Sequence, residues 1–308
     1  MVAPAVADPL ALHARSVPLD PNHPSRTLIG GLEYRGGLVL RAGDSRFGGL
    51  SGLEVSADGA RMTAVSDRGY WIEASLDYDA DGRLAGVADG AIHALRDETG
   101  RPLAQPWNDA EEIAPFGDGR RLVAFEHIHR IWIYGDDPAT ARARALWSPP
   151  GLAQVPANGG VEALARLADG AFLAVTEKSY LAEGVLRGWL ISADFAAQRP
   201  LAYAVAADFH PTAFATLPNG DVLALERRFT LVSGPGARLL RIPRATIVAG
   251  AVLEGRLVAS LAAPLTVDNM EGLALRRDAN GGVLVYLVSD DNYSTIQRTL
   301  LMMFRLIE

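Results

Sequence analysis

Short apolar segments recur in pairs along the chain, and each pair is joined by an Asp-Gly or Asn-Gly turn and followed by an acidic residue. These dipeptides accept a positive φ angle, so they are strong signals for a β-hairpin. The pattern occurs five times at intervals of about fifty residues, which indicates one repeated structural unit. The five predicted hairpins cover residues 50–67, 110–126, 161–177, 211–226 and 270–290.

Each hairpin also carries an apolar residue at a fixed position, five residues before the turn. Leu53, Ile113, Leu164 and Phe214 occupy this anchor position, and Leu273 matches it when a short insertion near the turn is allowed. Equivalent residues of repeated units occupy equivalent places in a fold, so the five anchors are predicted to share one role.

Two further strand-like runs follow each of the first four hairpins, and one run follows the fifth. Four strands per repeat is the composition of a β-propeller blade. The third strands are predicted at 70–76, 131–134, 188–192, 238–242 and 299–306, and the fourth strands at 91–95, 143–147, 201–205 and 256–260.

The fifth blade lacks a fourth strand of its own, and the N-terminal run at 32–41 is free to supply it. Such a closure joins both ends of the chain and leaves no open seam. The sequence therefore predicts an all-β fold with almost no helix, a single β-propeller of five four-stranded blades. Six blades is the alternative if two short blades are merged between Asp67 and Glu111.

The first residues of the chain are small and apolar, and they resemble the remnant of a removed signal peptide. The predicted organisation is a leader remnant at 1–20 and a propeller domain at 21–308. An exported protein, periplasmic or secreted, is expected on this basis. No apolar run is long enough to span a bilayer, so no membrane insertion is expected.

Composition excludes several classes of function. The chain has 29 basic and 36 acidic residues, a net charge of -7, which argues against a general nucleic-acid binder. It contains no cysteine, so disulfides, thiolate metal sites and a cysteine nucleophile are excluded. No P-loop or dinucleotide-binding fingerprint is present.

The chemistry is predicted at one end of the propeller channel. The first strand of a blade lines the channel and the second runs antiparallel to it, so the start of the first and the end of the second lie at the same end. The first-strand positions are Ser51, Glu111, Glu162, Thr212 and Glu271, and the second-strand positions are Asp67, Glu126, Glu177, Glu226 and Asp290.

Eight carboxylates at one end of a channel require compensation, because like charges raise one another's pKa. An all-oxygen site of this kind suits Ca²⁺ best, with Mg²⁺ or Mn²⁺ as second choices. The predicted metal ligands are Asp67, Glu111, Glu126, Glu162, Glu177, Glu271 and Asp290. The predicted catalytic groups are the neighbouring basic residues Arg68, His127, Lys178, Arg227 and Arg298.

Several segments of the chain also resemble the phytase-like family, whose domain is described as having esterase-like activity. The resemblance covers nearly the whole chain, and its most specific part is 289–294 with 297–301. It implies a bacterial β-propeller, exported and calcium-dependent. It does not extend to a lysine-rich phosphate cleft, because the matched positions are mainly acidic. The other segments that carry it are 47–53, 64–69, 158–164 and 268–273.

The function predicted from these observations is a metal-dependent hydrolase of a small-molecule ester or phosphoester at the mouth of the channel. The cation would polarise the substrate and activate a water, and a spare carboxylate would act as general base. Two alternatives stay open, because the fold does not decide function. One is a non-catalytic propeller that binds a ligand or a protein and holds a structural metal. The other is a lactonase-like hydrolase.

Overall fold

The computed structural model describes residues 8–144, 146–148, 151–152, 155–230 and 234–307, and this part of the chain forms five β-sheets. It includes a 3-10 turn, Arg244–Thr246, and no α-helix is present among these residues. No helix among the described residues is long and apolar enough to cross a membrane. Residues 1–7 of the expected leader remnant lie outside the described residues.

Four strands precede the first repeat, and two of them extend the sheets of the propeller. β2 pairs with β4, and β1 pairs with the outer strand of the first blade, so both extend propeller sheets. The four strands are β1 (Asp8–Pro9), β2 (Leu12–Ser16), β3 (Leu28–Ile29) and β4 (Leu32–Ala42).

The first and second blades follow in chain order, and in each the four strands pair sequentially from the channel outward. Blade 1 contains β5 (Leu50–Val55), β6 (Arg61–Ser66), β7 (Tyr70–Tyr78) and β8 (Leu84–Ala94). Blade 2 contains β9 (Ala110–Gly117), β10 (Arg120–Phe125), β11 (Arg130–Tyr134) and β12 (Leu146–Trp147).

The remaining three blades repeat this order, and β20 (Val252–Leu253) adds to the outer edge of blade 3. Blade 3 contains β13 (Val161–Arg166), β14 (Phe172–Ala182), β15 (Val185–Ile191) and β16 (Gln198–Ala204). Blade 4 contains β17 (His210–Thr216), β18 (Val222–Thr230), β19 (Gly234–Ile242) and β21 (Arg256–Ala262). Blade 5 contains β22 (Asn269–Arg277), β23 (Val283–Asp290) and β24 (Thr299–Leu306).

The ring closes where the sequence predicts. β4 pairs antiparallel with β24, with Val39 opposite Leu300, and so becomes the fourth strand of blade 5. The five-bladed propeller is therefore confirmed, and the six-bladed alternative is wrong. Closure by an N-terminal strand removes the open sheet edges that would otherwise separate the first and last blades.

Five clusters of buried apolar side chains hold the ring together, and each cluster lies between two neighbouring blades. Between blades 1 and 2, for example, Trp71 packs edge-on against Tyr134 with 5.6 Å between ring centroids. Burial of such faces is the main force that stabilises the fold. Each blade is apolar on both faces and so depends on its neighbours.

A β-bulge recurs at the same place in the innermost strand of every blade. In blade 3, for instance, Val161 faces Thr176 and Ala163 faces Val175, which leaves one extra residue, Glu162, between two adjacent partners. The same shift occurs near the start of β5, β9, β17 and β22. Bulges change the direction of side chains and are common beside active sites.

The central channel is closed between its two ends. A Cβ atom on Gly52 would lie 2.3 Å from the backbone nitrogen of Ile113, so the inner strands touch here. Glu112 of blade 2 is 1% exposed and accepts a hydrogen bond of 2.8 Å from the backbone N–H of Ile113. Its carboxyl also lies near the backbone N–H of Phe214 in blade 4, which acts to lower its pKa. Blades 2 and 4 are not neighbours, so the Glu112 carboxyl lies across the channel. The structure thus has two separate cavities, one at each end, with no lining residue in common.

Candidate functional site

One end of the channel opens into a cavity of about 490 Å³ whose charged lining is mainly acidic, and we call it the acidic mouth. The bulges place Glu111, Glu162 and Glu271 in its wall, together with Ser51. The ends of the second strands add further carboxyls. All seven predicted metal ligands line this cavity: Asp67, Glu111, Glu126, Glu162, Glu177, Glu271 and Asp290.

The prediction for blade 4 is wrong at one position. Glu226 does not line the acidic mouth; it is fully buried, where it accepts a hydrogen bond from the Tyr203 hydroxyl at 2.7 Å and pairs with Arg238. The strand register explains this difference. Glu226 faces Pro211, just as Thr176 faces Val161 in blade 3, so Arg227 is the residue equivalent to Glu177.

Arg227 therefore stands in a ring that is otherwise acidic, and it joins two blades. Its Nη2 lies 2.9 Å from Oε1 of Glu177, and its Nε lies 2.6 Å from Oε1 of Glu271. Lys178 forms a second ion pair with Glu177. Asn269 donates a hydrogen bond of 2.7 Å to Glu271. Arg227 and Lys178 thus compensate negative charge on blades 3 and 5.

The cavity carboxyls of blades 1 and 2 form no ion pair with an arginine or lysine of the described chain. Asp109 lines the cavity beside Glu111, whose Oε2 accepts a hydrogen bond from the Ser51 hydroxyl at 3.3 Å. The basic group here is His127, whose Nε2 lies 3.1 Å from Oδ2 of Asp109. His127 is 44% exposed and has a φ of 54°, a left-handed conformation that is strained for a residue other than glycine. Strain of this kind concentrates at functional sites.

Crowding and burial disfavour the charged forms of these carboxyls. Burial, with the nearby charge of Asp109, raises the pKa of Asp67 to about 7. Burial also raises the pKa of Glu126 to about 8, and the charge of Glu177 adds to this effect. The pKa of Glu271 rises to about 8 through burial even though Arg227 opposes the shift. Burial and the charge of Asp67 raise the pKa of Asp290 to about 7.

Glu111 and Glu162 are affected in the same direction. Burial and neighbouring carboxylates hold the pKa of both groups well above the ordinary value for glutamate. Acidic groups arranged in this way gain protons, cations or both. The lining contains eight carboxyls against Arg227, Lys178 and the half-exposed His127, so the compensation by side chains is incomplete.

The donor atoms suit a metal ion in two adjacent places. Asp109, Glu111 and Glu126 offer oxygens within 4.8 Å of one another, and so do Glu126, Glu162 and Glu177. Glu126 belongs to both groups, and its Oε1 is fixed by a hydrogen bond of 2.6 Å from the backbone of Gly160.

Two observations show that these oxygens fit a cation. Glu162 is 6% exposed, and no hydrogen bond or ion pair of its carboxyl is found among the described residues. Oδ1 of Asp67 is buried and also lacks a hydrogen-bond partner there. Buried carboxylate oxygens are normally paired or bound to metal, so an all-oxygen donor set of this kind is suited to a hard divalent cation.

Two of the predicted catalytic residues stand outside the cavity lining, whereas His127, Lys178 and Arg227 are part of it. The guanidinium of Arg68 stacks on the ring of Tyr293, with 3.3 Å to the ring centroid. Arg298 pairs with Asp268 at 3.1 Å and donates to the carbonyl of Val267. Both residues contact the segments that flank the mouth, and their roles stay predictions.

Sequence reasoning missed two apolar residues of the site. Phe229 and Ile296 line the acidic mouth although they are 61% and 88% exposed. Phe229 lies two residues beyond Arg227 on β18, and alternate residues of a strand face the same side. The spacing of two residues between Arg227 and Phe229 could therefore have identified Phe229 from the sequence. Ile296 lies in the loop between β23 and β24, where no periodic pattern marks it.

The fold and the cavity define a five-bladed β-propeller with a pocket lined by clustered carboxyls at one end of its channel. A family model described as "Phytase-like: Esterase-like activity of phytase" matches residues 45–293, and the chain belongs to that family. This match confirms the resemblance seen in the sequence. A search of curated proteins found no match.

Several solved structures are similar at low identity. A luciferin-regenerating enzyme has 12% identity and a TM-score of 0.42, and the match covers 84% of this chain and 93% of that one. The PQQ-bound aldose sugar dehydrogenase of Streptomyces coelicolor has 13% identity and a TM-score of 0.45, with coverage of 96% and 98%. A putative glucose dehydrogenase of Thermus thermophilus has 10% identity and a TM-score of 0.44, with coverage of 94% and 100%. At TM-scores below 0.5, these similarities support no inference about activity.

Proposed function

We propose that this protein is a hydrolase of small-molecule esters, carboxylic or phosphoric, that depends on a divalent cation bound in the acidic mouth. The observation that carries the proposal is the set of eight carboxyls in one cavity with too few basic side chains to balance them. The family description, esterase-like activity, supports the class of reaction. Calcium is the cation that flexible, carboxylate-rich sites favour.

Glu126 would be the central ligand, because it belongs to both groups of clustered carboxyls. Glu111 and Glu162 would complete the two sides of the site. When bound, the cation would polarise the ester oxygen and lower the pKa of a water molecule. Lys178 and Arg227 would orient the carboxyls of Glu177 and Glu271, because both acids are ion-paired.

His127 and Asp109 would carry the proton. The imidazole is half exposed at the cavity, and Asp109 holds one ring nitrogen at 3.1 Å. An imidazole oriented by a carboxylate is a common arrangement for general acid–base catalysis. The pair would therefore take a proton from the attacking water or give one to the leaving group.

The substrate would carry an apolar group as well as the ester. Phe229 and Ile296 expose large apolar surfaces on the same cavity as the carboxyls. Binding pockets commonly combine apolar walls with a few charged groups that orient the ligand. An acyl or aryl group would lie against these two side chains while the ester faces the cation.

A panel of chromogenic carboxylic and phosphoric esters, assayed with calcium and again with a chelator, tests the proposal. We expect turnover that requires the cation and falls about 100-fold or more in Glu126→Gln, since a bound cation supplies several kcal/mol to the transition state. Glu183→Gln, on the exposed β14–β15 turn, is the matched control and should leave turnover unchanged.

Two outcomes would contradict the proposal. Turnover that persists in chelator would exclude a cation-dependent reaction. Absence of turnover on every ester, together with a melting temperature that rises in calcium, would instead support the non-catalytic propeller with a structural metal.

A further inference from the structure

The second cavity of the propeller, at the opposite end of the channel, has a volume of about 730 Å³ and no part in the proposed reaction. We call it the opposite mouth. Four of the five anchor residues that define the sequence repeat line it, namely Leu53, Ile113, Phe214 and Leu273. The repeat therefore builds an apolar funnel at this end, just as it builds the carboxyl cluster at the other.

The funnel is deep and blind. Its wall on blade 5 runs along β22 from Leu273 to Arg277, which at 3.3 Å per residue is about 13 Å. The inner strands and Glu112 close the channel, and the two cavities share no lining residue. A molecule that enters the funnel would meet the apolar anchor side chains. The volume and the apolar lining are typical of a small-molecule pocket.

The charges at the rim are mostly positive. Among the described residues of the lining, Glu54 is the one acidic residue, and Arg121 neutralises it with a distance of 2.5 Å between Nε and Oε2. Arg276 is held by Tyr286, whose hydroxyl accepts a hydrogen bond of 2.9 Å from Nε. Its charge also acts on the hairpin acids Asp58 and Asp278 outside the lining.

The other two rim arginines are available to a ligand. Arg166 and Arg277 are exposed, and their guanidinium groups have no hydrogen bond or ion pair within the described part of the chain. They come from blades 3 and 5, so they approach the opening from different sides. Guanidinium groups bind carboxylates and phosphates through paired hydrogen bonds.

We propose that the opposite mouth binds an amphipathic organic anion, with its carboxylate on Arg166 and Arg277 and its apolar tail in the funnel. The anionic group of the ligand matches the arginines of the rim, and its apolar group matches the funnel. A metal ion does not fit, because the single carboxylate of the lining is already paired. A simple inorganic anion would leave the apolar funnel unused. The inference is independent of the activity proposed for the acidic mouth.

Calorimetric titration of the full-length protein with octanoate tests this proposal, with acetate, octanol and octyltrimethylammonium as comparison ligands. We expect one saturable site for octanoate and none for acetate or the ammonium compound. Hexanoate should bind roughly tenfold more weakly than octanoate, because two methylene groups are lost from the buried tail. Neither chelator nor calcium should change the affinity, since the two cavities are separate.

Substitutions distinguish the funnel from nonspecific binding. The double variant Arg166→Glu, Arg277→Glu should weaken octanoate at least tenfold, and Ala57→Trp should obstruct the rim, where Ala57 is exposed. Arg256→Glu, an exposed charge on the outer strand β21, is the matched control and should bind normally. No binding of octanoate at millimolar concentration would overturn the proposal. Equal affinity for octyltrimethylammonium, or unchanged affinity in the double variant, would also overturn it.

Discussion

The two ends of the channel are built from the same five hairpins, yet they differ in chemistry. At the acidic mouth, bulged inner strands and the ends of the second strands bring eight carboxyls together. At the opposite mouth, the same strands present their apolar anchors and a rim of arginines. Each end repeats fixed positions of the hairpin around the ring. A single sequence repeat therefore specifies two different cavities.

The two ends also differ in their effect on stability, because the anchors stabilise the fold whereas the clustered carboxyls destabilise it. The anchors are almost fully buried, and all of them belong to the clusters that join neighbouring blades. At the acidic mouth, Glu126 and Glu271 are buried and have raised pKa values, and the charge of the carboxyl cluster is incompletely compensated, which costs stability. Proteins retain such costs mainly at functional sites.

Truncation of an anchor should have the largest effect on stability. Phe214→Ala removes a side chain that is 3% exposed and packs against Tyr203 with 5.6 Å between ring centroids. We expect the free energy of unfolding to fall by about 3–5 kcal/mol in urea titrations. If calcium binds the acidic mouth, it should raise the melting temperature of the native protein. Phe214→Ala should show the same rise, because Phe214 lies at the other end of the channel. Loss of that rise would show that the two ends are coupled.

Removal of the arginine of the acidic mouth should have a slightly smaller effect. Arg227→Gln leaves Glu177 and Glu271 without their shared partner, and we expect a loss of about 3 kcal/mol at pH 8. Arg277→Gln at the opposite mouth is the control, and an exposed substitution should change stability by less than about 0.5 kcal/mol. Equal losses in the two variants would mean that the ion pairs of Arg227 contribute nothing specific.

Substitution of His127, which is proposed to carry the proton together with Asp109, should affect the rate more than the stability. His127→Gln should lower kcat about 100-fold, which is the usual contribution of a general acid or base. The ring is 44% exposed, so the melting temperature should change little. A pH profile of kcat/KM is the second readout, and its shape should differ between the variant and the native protein. A variant with the activity and profile of the native protein would exclude this role.

The pH dependence of stability tests the raised pKa values of the acidic mouth. Asp67, Glu126, Glu271 and Asp290 have folded-state pKa values of about 7 to 8, above those of an unfolded chain. The folded state therefore binds more protons, and stability is lost as the pH rises from about 5 to 8.

We expect the free energy of unfolding to fall over this range in the presence of chelator. Calcium should abolish most of the loss, because it replaces the protons. Urea titrations at a series of pH values, with chelator and with calcium, measure the loss of stability and its suppression by calcium. A chelated protein that becomes more stable as the pH rises would contradict the raised pKa values.

The repeat made the fold predictable, and the register of the strands decided the site. Each hairpin prediction was correct because turn dipeptides and apolar runs are local signals, and the ring closed with 32–41 as expected. Glu226 was misplaced because the acid nearest the expected position was chosen. Seven residues after the turn glycine stand Glu126, Glu177 and Arg227, so a count from Gly220 identifies the arginine.

Other features of the site were beyond the sequence. The bulges, the left-handed backbone of His127 and the position of Glu112 across the channel depend on contacts between blades that no local pattern records. Ile296 comes from an irregular loop, so its place at the acidic mouth depends on the closure of blade 5. Export of the protein stays a prediction.

The central claim is that the acidic mouth binds a divalent cation through Glu126 and its neighbours. Calorimetric titration of calcium into chelator-stripped protein at neutral pH tests it most directly. We predict saturable binding in the native protein that is lost in Glu126→Gln and retained in Glu183→Gln. Absence of binding in the native protein, or undiminished binding in Glu126→Gln, would contradict the account.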